Sequence, residues 1–223
     1  MSTASGYRII AAIAVFLAVS GCDISVDGDG SNKVNGSVHV AAGKAAEDAR
    51  TVNGSIHVDD NATVNSAGTV NGSVHLGAHA TASSAKTVNG AITLGDSAHV
   101  TGEAASVNGD LTLANNSDVS GSLTNVNGKI NLAAAHVGGG IRTVNGSISI
   151  MGASHVEGGI LVKKPSGISF HNEDPVIVIG PGAVVQGELH FERPVKLYVS
   201  DKATIGTVTG ATPVTFSGDN PPN

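Results

Sequence analysis

Val-Asn-Gly occurs seven times, with its valines at Val34, Val52, Val70, Val88, Val107, Val126 and Val144, so the steps are 18, 18, 18, 19, 19 and 18 residues. A period this short cannot hold a helical hairpin and suits one coil of a β-solenoid. Within it a six-residue rhythm is visible. Val52, Val58, Val64 and Val70 stand six apart, with Ile56, Ala62 and Gly68 between them. Inward residues are therefore expected at steps of 4, 2, 4, 2, 4 and 2. A step of two is a strand with one outward residue between two inward ones, and a step of four turns a corner.

The fold expected is all-β: a single-stranded parallel β-helix of triangular section with about 18 residues per coil. The same register continues through Val70, Val74, Leu76, Ala80 and Ala82, then Val88, Ile92, Leu94, Ala98 and Val100. The 19-residue copies add one residue at a corner, near Ala105 and Asn125. Glycine makes up about one residue in seven, and apolar residues at 3.6 spacing are missing, so helix is excluded. One coil has too few large side chains to offset the ordering of its backbone, so coils must stack. The ends of the stack then present strand edges that need covering or pairing.

Asn35, Asn53, Asn71, Asn89, Asn108, Asn127 and Asn145 recur at one corner, each followed by glycine. Asn and Gly tolerate the left-handed backbone of a sharp turn, and stacked amides can pass hydrogen bonds from coil to coil as a ladder. Four of these asparagines open N-x-S triplets, which the repeat explains without sugar.

The N-terminus reads as a lipoprotein signal peptide over residues 1–21: Arg8, an apolar run from Ile9 to Val19, then Leu17-Ala18-Val19-Ser20-Gly21-Cys22. This run is too short to span a bilayer. It resembles a bacterial lipobox, which makes Cys22 the lipidation site and places palmitate-type acyl chains there as a membrane anchor. Asp23 resembles an inner-membrane retention signal; inner versus outer membrane stays open, with the protein facing the periplasm or exterior. A single cysteine excludes a disulfide framework. The expected layout is a linker over 22–32, a β-helix over 33–210 and a tail over 211–223. The helix is regular to 150 and less regular beyond, with an excursion from Pro165 to Pro175. Late aromatics (Phe170, Phe191, Tyr198 and Phe216) suggest a wider last section or a cap.

Without Arg8 the chain has 11 Lys and Arg against 18 Asp and Glu, the wrong sign for binding a phosphate backbone. No aromatic lies between Cys22 and Ser169, so that stretch offers bases no stacking platform. Nucleic acid is not an expected partner.

The six-step pattern, the glycine corners and the run Ile179-Gly180-Pro181-Gly182-Ala183-Val184-Val185-Gln186-Gly187-Glu188-Leu189 resemble the bactofilin, or polymer-forming, family. The Val-Asn-Gly-Ser copies are also similar to adhesin-like β-strand-repeat proteins of bacterial envelopes. The first resemblance implies a right-handed parallel β-helix that associates end to end as a homo-oligomer, although bactofilins are usually cytoplasmic or at the membrane's inner face. Left-handed hexapeptide helices share the six-step rhythm, so the sequence admits both hands.

His39, His57 and His75 hold one equivalent position in three coils and are expected as an outward column. At ~4.8 Å per coil the outer two stand about 9.6 Å apart, too far for one zinc to gather all three. Later copies place Thr93, Thr112, Asn131 and Ser149 there. His79, His99, His136 and His155 fall near a second corner without strict alignment. A hexapeptide-type acyltransferase would use a histidine between subunits, but its acyl donors are cytoplasmic. A polysaccharide-active β-helix would use an acidic cluster, and Asp59-Asp60 is an adjacent acidic pair of the repeats. Ice binding would use ranks of threonine, and Thr51, Thr69, Thr87 and Thr143 make one that Lys33, Ser106 and Asn125 interrupt. No catalytic constellation, metal site or cofactor emerges. The expectation is a non-enzymatic envelope lipoprotein, scaffold or self-assembling, with an adhesin-like module contacting glycan or protein as the alternative.

Overall fold

The computed structural model describes residues 31–165 and 173–221. The leader, Cys22 and Phe170 lie outside them. The described residues are all-β, with 26 short strands in a sixteen-stranded and a ten-stranded sheet. Every pairing is parallel, and each strand lies beside its equivalent one coil away. This is a parallel β-solenoid of about ten coils.

One column defines the stack. Val38, Ile56, Val74, Ile92, Leu111, Ile130, Ile148, Ile177 and Leu197 lie side by side in the ten-stranded sheet, and none is more than 1% exposed. Two residues on, Val58, Leu76, Leu94, Leu113 and Ile150 make the matching inward column. Both follow from strand alternation, in which every second side chain faces the core. The residues between them, His57 and His75 included, face out.

The third strand segment departs from the expected pattern. The sequence rhythm places Gly68 and Val70 inward; the structure buries Gly68 but also Ala67 and Thr69, and leaves Val70 half-exposed. The whole Val-Asn-Gly valine column is rotated outward, and Val34 at its end is 45% exposed. The cause is the Asn-Gly corner, which takes five residues between inward side chains rather than four: Thr69 to Val74, Ser106 to Leu111 and Thr143 to Ile148. In strand Thr63–Asn71 a three-residue step from Val64 to Ala67 offsets it, because the strand runs through the preceding bend without a turn. A one-residue difference in step moves every following side chain to the other face.

What replaces valine inside is a hydroxyl. Thr51, Thr69 and Thr87 are buried, and their Oγ1 atoms donate to the carbonyls of Gly36, Gly54 and Gly72 in the previous coil, at 2.9, 2.8 and 2.8 Å. Ser106 Oγ and Asn125 Nδ2 donate likewise to Gly90 and Gly109, both at 3.0 Å. Two of the three residues that interrupt the threonine rank in the sequence, Ser106 and Asn125, therefore do its work, whereas Lys33 donates to the Ser37 carbonyl on the surface. The rank faces the core, which removes it as a flat outer surface for ice.

The Asn-Gly corner carries positive φ at Gly36 (105°) and Gly128 (127°), and a second turn carries the non-glycine left-handed residues. Asn61, His79, Ser97, Asn116 and Ala134 hold φ between 48° and 59°, at the turn after the inward pair of the ten-stranded sheet. Glycine in Asn-Gly also serves close stacking. A Cβ on Gly90 would lie 2.0 Å from the Gly72 carbonyl oxygen.

The 19-residue coils are explained by the bend. From Val100 onward the core step across it is four residues (Val100 to Ala104, Val119 to Leu123), and the nine-residue strand splits in two, as His99–Val100 and Ala104–Asn108. The coil from Val126 returns to 18 because its left-handed turn is one residue shorter: Leu132 and Ala135 are both buried, three apart.

Beyond Ile150 the stack persists. Ile148 pairs with Ile177, a 29-residue step that absorbs the excursion. Phe191 takes the inward place beside Val162 and Phe216 is 5% exposed, so both aromatics fill core. The solenoid also runs past 210, where the sequence placed its end: strand Pro213–Phe216 pairs with Lys196–Ser200. Its pattern is hidden because proline and threonine stand in register with the inward Leu197 and Val199.

Candidate functional site: a histidine–carboxylate ladder

Four dipeptides build the site: His99-Val100, Asp118-Val119, His136-Val137 and His155-Val156. Each valine is fully buried, so the residue before it faces outward. The strands pair in register and place His99, Asp118, His136 and His155 in one column across four successive coils. This corrects the expectation of unaligned histidines for three of the four. Their sequence steps of 19, 18 and 19 mask a register that the buried valines keep. His79 stands apart, at the left-handed turn with φ 57°.

Asp118 lies between two imidazoles. His99 Nδ1 is 2.5 Å from its Oδ2, and His136 Nδ1 binds its Oδ1. The Ser120 hydroxyl donates to Oδ2 at 3.0 Å. On its far side His136 Nε2 meets Glu157 Oε1 at 3.2 Å. The His155 ring lies 5.8 Å from that of His136, tilted by 49°.

An ionised carboxylate only accepts hydrogen bonds. His136, with a carboxylate on each ring nitrogen, satisfies both when both nitrogens carry protons, that is, as imidazolium. Its pKa is accordingly raised above 6.5, chiefly by the bond to Asp118, with partial burial opposing and Glu157 assisting. For Asp118, partial burial pushes upward, but the bonds from His136 and Ser120 and the charges of His99 and His136 outweigh it, and the carboxyl sits below 3.8.

The ladder can hold and release a proton and bind coils electrostatically. It has no activated nucleophile: the Ser120 hydroxyl is bonded to a carboxylate rather than to an imidazole able to take its proton.

The remaining sequence candidates occupy two other outward columns. His39, His57 and His75 are in register. His39 Nε2 lies 2.7 Å from Asp59 Oδ2, and the His57 and His75 rings are 6.2 Å apart. Asp60 Oδ1 accepts the Ala78 amide at 2.7 Å, so the acidic pair is engaged in holding its turn. A hollow of about 250 Å³ lies beside it, lined by Ala42, Asp59, Asp60, His75 and Gly77. Among the described residues, no group of three or more His, Cys, Asp or Glu is placed to hold a metal ion.

Asn35, Asn53, Asn71, Asn89, Asn108, Asn127 and Asn145 form the third column. Each Nδ2 from Asn53 onward donates to the Oδ1 of the asparagine one coil earlier, at 2.8–3.0 Å. Arg193 closes the series, with Nη1 donating to Asn145 Oδ1 at 2.7 Å. Arg193 carries no repeat signal and was not legible as part of the ladder.

No protein-family model matches the chain, and no curated protein or solved structure is significantly similar to it.

Proposed function

We propose that this protein is a non-enzymatic lipoprotein of the bacterial cell envelope, held to a membrane through acyl chains on Cys22. Its solenoid serves as a structural element that assembles with further copies end to end, as its resemblance to polymer-forming β-helices implies. The observation that carries this reading is the last coil. Strands Thr204–Ile205, Val208–Thr209 and Pro213–Phe216 each pair on one side only among the described residues. Ala203, Ile205, Val208 and Ala211 pack on the core while staying partly exposed, and Val214 is 49% exposed. Free strand edges around an apolar cross-section are a template for another chain.

Electron microscopy and sedimentation of the chain from residue 22 onward, carrying Cys22→Ala to remove the lipid, test the assembly. Ordered filaments or oligomers are expected, and Val208→Lys should shift them to monomers. Strict monomers that bind a glycan array would replace the scaffold with the adhesin-like reading. Radiolabelled palmitate should enter the wild type and not Cys22→Ala; equal labelling of both would remove the anchor.

A further inference from the structure

We infer that His99, Asp118, His136 and Glu157 form a proton-dependent clasp, which locks four successive coils together in mildly acidic solution and loosens as the solution turns alkaline. The clasp is independent of end-to-end assembly, since it acts within one chain.

Among the described residues, the groups that face His136 come from the coils on either side of it. From the coil before come Asp118 and, behind it, Ser120; His99 lies one coil further back on the other Asp118 oxygen. From the coil after come Glu157 and the His155 ring. Beyond His155 the column continues as Val184, which carries no charge. On its own segment His136 is flanked by Ala135, Val137 and Gly138. The carboxylates thus hold it on both sides along the stacking direction, and only the imidazolium can donate to both at once. When it loses its proton, one ring nitrogen presents a lone pair to a carboxylate oxygen, and an attractive contact between coils becomes a repulsive one.

The direction with pH follows from linkage. His136 has a folded pKa above its ordinary 6.5, so its contribution is complete below 6.5 and is lost as pH rises through the raised value. Asp118 has a folded pKa below 3.8, so its contribution is complete above 3.8 and is lost as pH falls through the lowered value. The clasp is closed between these limits. Each coil of a solenoid is stabilised mainly by its neighbours, so loosening one junction weakens the stack on both sides of it.

The test is thermal unfolding of the full chain from pH 5 to pH 9, beside an NMR titration of the histidine ring protons. The midpoint of the wild type is expected to fall by a few degrees between pH 6 and pH 9. His136→Gln should abolish that part of the fall. His155→Gln, which removes a ring in the same column that makes no ion pair among the described residues, should retain it. Asp118→Asn should lower the pH at which His136 titrates. A His136 titration at or below 6.5 in the wild type would overturn the clasp, as would an unchanged slope in His136→Gln. Should His136→Gln fail to fold, the wild-type titration decides alone.

Discussion

Thr87 and Val88 are neighbours whose roles are the reverse of what their polarity suggests. Thr87 is fully buried and donates to the Gly72 carbonyl, whereas Val88 is half-exposed. A buried carbonyl stripped of its donor costs about 1–3 kcal/mol, even where the new side chain has the same shape. Thr87→Val should therefore destabilise by that amount, read as a lowered urea midpoint. Val88→Thr should change stability by under about 0.5 kcal/mol. If Val88→Thr proves the more damaging, the inward place of Thr87 is wrong. Asn89 both donates to Asn71 and accepts from Asn108, but on an exposed surface. Asn89→Ala is expected to cost about 1 kcal/mol, less than the buried threonine at its upper range.

Turns are where element geometry sets tolerance. At Gly90 an added Cβ meets backbone, the Gly72 carbonyl oxygen at 2.0 Å, and neighbouring coils cannot part without breaking strand bonds. Gly90→Ala should cost about 3 kcal/mol or more, as overpacking of a rigid site does. Gly43 has open space around it but φ +68°, so Gly43→Ala should incur only the strain of a left-handed residue, about 1–2 kcal/mol. Ala134 already bears that strain at φ 48°. Ala134→Gly should raise the melting temperature, with a gain of up to about 1 kcal/mol after the greater backbone entropy of glycine is subtracted. The three substitutions separate crowding from backbone conformation at the two kinds of turn.

For the molecule as a whole, stability is close to one-dimensional, because each coil touches mainly the coils before and after it. Hydrogen exchange should be slowest in the middle coils, around Ile92 to Ile150, and faster toward Ser31 and Phe216, where strands have one partner. Uniform protection along the chain would show instead that it opens only globally. The His136 clasp spans the coils from His99 to Glu157, so an alkaline shift should speed exchange there first, after correction for the intrinsic rate.

Most of the architecture was legible because a short repeat leaves few solutions. Val-Asn-Gly at 18 to 19 residues and alternating apolar pairs such as Ile56 and Val58 suffice to establish parallel coils, the stack and the outward place of His57. The asparagine column likewise follows from identical residues at steps of 18 or 19. Tertiary structure alone decided how each coil bends. Whether Val70 or Thr69 points inward depends on whether the Asn-Gly corner takes four residues or five, and only the packed backbone resolves that difference. The same cause hid the clasp: His99, Asp118 and His136 align through the buried valines that follow them, while the variable corners between them shift their spacing in the chain.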